Sequence, residues 1–88
     1  MKFTLSTHAE ERLTQRRISR PAEDAREAKG KMRNLIIAKC PRQIYDPKQL
    51  RYYRSARKDI DNRYDIYVCR PLTDNTLLVI TAFTLLIK

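Results

Sequence analysis

"TLLVITAFTLLIK", residues 76–88, carries no charge before its last residue and is apolar on both of its alternating faces. A helix of that length is too short to cross a bilayer. Val79, Ile80, Thr81 and Ile87 are β-branched and favour extended backbone. The stretch therefore reads as the central strand of a sheet, and the rest of the chain has to supply its neighbours.

Immediately before it, "PLTDN" (71–75) is turn-like, and "RYDIYVCR" (63–70) sets Tyr64, Ile66 and Val68 against Asp65, Tyr67 and Cys69. That alternation predicts a half-buried strand. "KDIDN" (58–62) contains turn residues, and "QLRYYRSAR" (49–57) reads as a strand with one wet face. "NLIIAKC" (34–40), closed by Pro41, and "RQIYD" (42–46), stopped by Pro47, are shorter strand candidates.

The N-terminal part has a different period. "MKFTLS" (1–6) alternates like a short strand or extended lead-in. Thr7 and Glu10 form a capping box, so a helix is predicted from His8 to about Arg17, with Ala9, Leu13 and Ile18 as a thin apolar stripe. Ser19 as N-cap, Pro21 in the first turn and the acidic Glu23 and Asp24 predict a second helix. Ala22, Ala25, Ala28 and Met32 form its packing face, and Gly30 ends or weakens it. Helices followed by strands on short turns define an α+β class. The prediction is one domain, residues 1–88: two N-terminal helices on one face of a four-stranded antiparallel sheet, with a short leading strand an option, and the opposite face wet.

With 88 residues there is room for one modest core. Lys and Arg number 19 against 10 Asp and Glu, giving a net charge of +9. A surface that basic attracts polyanions, of which nucleic acid is the commonest. The N-terminus lacks an apolar stretch of signal-peptide length, and the reading is of a soluble cytoplasmic protein without a membrane span. Cys40 and Cys69, with one histidine, are too few for a structural zinc site. They are either buried thiols or one disulfide between facing strands.

In "THAEERLTQRR" (7–17), His8, Arg12 and Arg16 fall at i, i+4 and i+8, on one side of the predicted helix. Imidazole exchanges protons near neutrality, and guanidinium binds phosphate bidentately. Together they suit metal-independent cleavage of RNA by its own 2′-hydroxyl, with no cofactor. The same spacing, flanked by Glu11 and Gln15, also makes an ordinary solvated face. A second pattern interleaves Tyr52, Tyr53, Tyr64 and Tyr67 with Arg51, Arg54, Arg57, Arg63 and Arg70. Rings that stack bases beside arginines that hold the backbone favour single-stranded RNA, although tyrosines are also good strand formers. Thr81, inside an apolar run, either bonds its neighbouring strand or faces a cleft.

The pattern of Thr7, His8, Ala9, Arg12, Leu13, Arg16, Ile18 and Ser19, followed far downstream by Val79, Ile80, Thr81 and Phe83, resembles a family of small domains grouped with RelE-like and colicin-like ribonuclease toxins, the barnase–EndoU–colicin–RelE class. The resemblance is sharp over residues 7–19; the strand tyrosines and the length of "NLIIAKC" depart from it. It implies an RNA-cleaving site between the first helix and the sheet, with His8, Arg12, Arg16 and Thr81 at matching catalytic positions; in an endoribonuclease His8 would be base or acid, Arg12 and Arg16 would stabilise the phosphate, and Thr81 and Tyr67 would position it. It also implies a cognate antitoxin or immunity protein. Arg51, Tyr53, Arg54, Arg57, Arg63 and Tyr67 are the RNA-binding candidates. The alternatives are a nucleic-acid-binding regulator without catalysis, as in a virus or plasmid, and a protein-interaction module whose C-terminal strand pairs across a homodimer or with a partner.

Overall fold

The computed structural model describes residues 2–21, 25–39, 50–56, 62–73 and 75–86. In chain order the elements are β1 (Lys2–Leu5), α1 (Thr7–Arg16), β2 (Arg26–Glu27), α2 (Lys31–Lys39), β3 (Arg51–Ala56), β4 (Arg63–Thr73) and β5 (Thr76–Leu86). The class is α+β. The sheet has five strands in the order β1-β5-β4-β3-β2. It is mixed rather than antiparallel throughout, because β1 runs parallel to β5, with Phe3 opposite Leu77 and Leu5 opposite Val79.

The N-terminal helix forms where its caps place it, one residue early. Ser6, not Thr7, is the N-cap: its hydroxyl accepts from the Ala9 N–H at 3.0 Å. The Ser6 N–H donates to the Val79 carbonyl at 3.0 Å, fastening the start of α1 to β5. At the other end Arg17 takes a left-handed conformation (φ 53°), which lets the Ile18 N–H return to the Leu13 carbonyl at 2.9 Å and turns Ile18 into the core.

The second helix is displaced from its predicted place. Of the stretch 19–30, residues 22–24 lie outside the described residues, and Arg26–Glu27 form β2, opposite Arg54 and Tyr53 of β3. The Ala28 N–H continues that edge by donating to the Tyr52 carbonyl at 2.7 Å. Pairing to β3 outweighs the helical preference of the alanines, as tertiary contacts commonly do. Residues 34–39, expected as a strand, are the greater part of α2. Met32, Leu35 and Ile36 lie at i, i+3 and i+4, and Ile36 is fully buried. A short apolar run fits either period, and only its partner decides. "RQIYD", most of "KDIDN" and Cys40 lie outside the described residues. "PLT", read as the start of a turn, instead continues β4.

The helices do not share a face. Ala9, Leu13 and Ile18 pack with Tyr53, Tyr67, Cys69, Leu77, Val79 and Ala82 on one side of the sheet. Ile36 and its neighbours pack with Tyr52, Ile66, Val68 and Leu85 on the other. Neither face is therefore wholly wet, and β4 is buried on both sides from Asp65 to Cys69. Its expected wet face does not exist, because α1 and the segment after it cover that side. The Tyr67 hydroxyl donates to the Ser19 carbonyl at 2.6 Å, fixing that segment in place.

Candidate nucleic-acid interface on the first helix

With Ala9 and Leu13 turned inward, α1 has two flanks. On one, Arg20 pairs with Glu10 at 3.0 Å across an open groove floored by Leu13 and Ile18. That pair is exposed and contributes little stability, but it neutralises the flank.

The other flank carries the row seen in the sequence. His8 is exposed, and its Nε2 accepts from Arg12 Nε at 3.3 Å. Arg12 Nη1 donates to Gln15 Oε1 at 3.2 Å. Arg16 Nη1 donates to the Ala82 carbonyl of β5 at 2.7 Å. The row thus runs down the helix and ends on β5, past Val79, where the pairing with β1 stops. Every acceptor it meets is neutral: a ring nitrogen, an amide oxygen and a peptide carbonyl. Among the described residues no carboxylate pairs with Arg12 or Arg16, so both guanidinium groups keep their full charge toward solvent.

Thr81 is not part of this arrangement. Counting by twos from Leu77 and Val79 would put it on the α1 face. Val68 pairs with Thr81 while Cys69 pairs with Val79, so Ile80 is an extra residue and the strand bulges there. The bulge shifts the alternation. Thr81 lands with Val68 on the α2 face, and Ala82 and Thr84 take the α1 face instead.

The strand residues expected to hold RNA are dispersed. Tyr67 is 1% exposed and Tyr53 is 7% exposed, its ring edge-on to Phe3 with centroids 5.2 Å apart. Neither is placed to stack a base. Burial, then the nearby Glu27 carboxylate, raise the Tyr53 pKa and keep its phenol neutral. Arg51 and Arg63 lie on the α1 face by register, opposite Cys69 and Leu86. Arg51 is exposed and donates to the Leu50 carbonyl at 3.3 Å. Arg54 lies on the α2 face, its guanidinium 5.5 Å from the Tyr64 ring centroid. Arg57 lies outside the described residues. Cys69 is buried, and desolvation pushes its thiol up to about 12, leaving it a small apolar side chain rather than a nucleophile.

Among the described residues, no three His, Cys, Asp or Glu side chains come together to hold a metal ion, and no helix is long and apolar enough to cross a membrane. Two further polar residues, not among the candidates from sequence, belong beside the row. Gln15 was visible there, three positions after Arg12. Thr84 was not, because only the bulge brings it round. Among protein-family models, curated proteins and solved structures, none matches this chain.

Proposed function

We propose that this protein binds nucleic acid along the outer flank of α1, with Arg12 and Arg16 taking backbone phosphates and His8 and Gln15 completing the polar contact. One observation carries the reading. Two guanidinium groups one turn apart are bonded only to neutral acceptors, in a chain of net charge +9. An arginine held by neutral groups keeps its charge for an incoming phosphate and offers it a bidentate fork. Binding should weaken steeply with salt, as counterion release requires.

A second reading, RNA cleavage of toxin type, is favoured by the contact between Arg12 and His8. The bond from Arg12 Nε occupies the Nε2 lone pair. When Arg12 swings to a phosphate, that lone pair is released and can take the proton of a 2′-hydroxyl. The 2′-oxygen then attacks phosphorus, the bond to the 5′-oxygen breaks, and the leaving oxygen takes its proton from water. The resemblance of residues 7–19 to RelE-like toxins supports this reading and brings with it a cytoplasmic location and a cognate antitoxin or immunity protein as partner. The test is incubation of pure protein with RNA in the presence of a chelator, beside a His8→Ala control. Cleavage by the wild type that disappears in the variant is the expected result. No cleavage, or equal cleavage by both, removes catalysis and leaves the binding surface.

A further inference from the structure

Next to the cationic row stands a hydrogen-bonded pair on the sheet. The Thr84 hydroxyl donates to Asp65 Oδ1 at 3.3 Å across the β5–β4 ladder. Asp65 is the one charged side chain in the buried set among the described residues, at 6% exposed, whereas Thr84 is half-buried and reaches the surface. Thr84 follows Ala82 by two residues on the same face, about 7 Å along the strand, and Ala82 is the residue whose carbonyl holds Arg16. The helix row therefore continues onto the sheet through Ala82 to Thr84.

The hydroxyl's chemistry follows from its partner. The single proton of Thr84 points to Asp65 Oδ1. What Thr84 shows to solvent is an oxygen with lone pairs, which accepts from a donor. On a nucleic acid whose phosphates sit on Arg12 and Arg16, the donor that sugar-backbone recognition supplies is the ribose 2′-hydroxyl, which DNA lacks. We infer that Thr84, oriented by Asp65, reads the 2′-hydroxyl and makes this surface select RNA over DNA. The inference rests on the phosphate-binding reading above and adds its specificity.

The experiment is fluorescence anisotropy with the full chain at one salt concentration. The probes are single-stranded RNA, its 2′-O-methyl form and DNA of the same sequence. One hydrogen bond predicts that wild type binds RNA roughly fivefold more tightly than either other probe. Thr84→Val, nearly equal in volume, should bring the three affinities together, and Thr84→Ser should keep the preference. Equal affinities for wild type overturn the inference whatever the variants do, as does an RNA preference unchanged in a folded Thr84→Val protein. Either result leaves the phosphate surface standing. Failure of wild type to bind any of the probes would remove the surface and the inference together.

Discussion

Replacing both Arg12 and Arg16 with glutamine is expected to lower affinity for a nucleic-acid oligonucleotide by roughly a hundredfold or more at low salt, because each charge-assisted contact to phosphate contributes about 1.5 kcal/mol or more. The slope of log affinity against log salt should also become shallower by about 1.4 for a single strand, since each neutralised phosphate contributes about 0.7. Glutamine is chosen because it retains an amide donor near the Ala82 carbonyl that Arg16 holds. Far-UV circular dichroism and a urea midpoint would establish that the fold is intact. The comparison is Arg20→Gln on the neutralised flank, whose partner is Glu10. Its loss should leave both the affinity and the slope close to wild type.

The second large effect concerns the fold. Ile36→Ala should cost about 2–5 kcal/mol, read as a fall in the urea midpoint at unchanged slope, because the side chain is fully buried beneath the sheet and its removal leaves a cavity. Ala38→Lys, two residues on, should change stability by less than about 0.5 kcal/mol. In α2 these two residues lie on different sides of the helix, and Ala38 is exposed. Were residues 34–40 a strand, Ile36 and Ala38 would share one face, and a lysine there would be about as damaging as the cavity. The pair of variants thus separates the helix from the strand that the run Leu35-Ile36-Ile37 suggests.

That run marks the limit of what local pattern can decide. The first helix was legible because its signals are local: a serine or threonine before it, an apolar pair at i and i+4, and a turn after it. Strands β3, β4 and β5 were legible from alternation and β-branched residues. The second helix was not, because three adjacent apolar residues satisfy both periods. Nor was β2: Arg26 and Glu27 are held extended by Arg54 and Tyr53, which lie far along the chain. The alternation in β4 predicts a half-buried strand, but residues 65–69 are buried on both faces, and Asp65 accepts from Thr84.

The site shows the same division. His8, Arg12 and Arg16 could be aligned by counting along one helix. Which strand hydroxyl stands near them depends on a single extra residue, Ile80, that no periodicity announces. Tyrosines give composition without direction. Tyr53 and Tyr67 are drawn into the core by α1 and the segment after it, and base stacking goes with them.

The most direct measurement is chemical-shift mapping of the isotope-labelled chain titrated with a short single-stranded RNA. If α1 carries the nucleic-acid interface, the largest changes fall on the His8 ring, on the side-chain signals of Arg12, Gln15 and Arg16, and on Thr84, all on the α1 side. Changes centred instead on Arg26, Arg33 and Arg54, across the sheet, would contradict it.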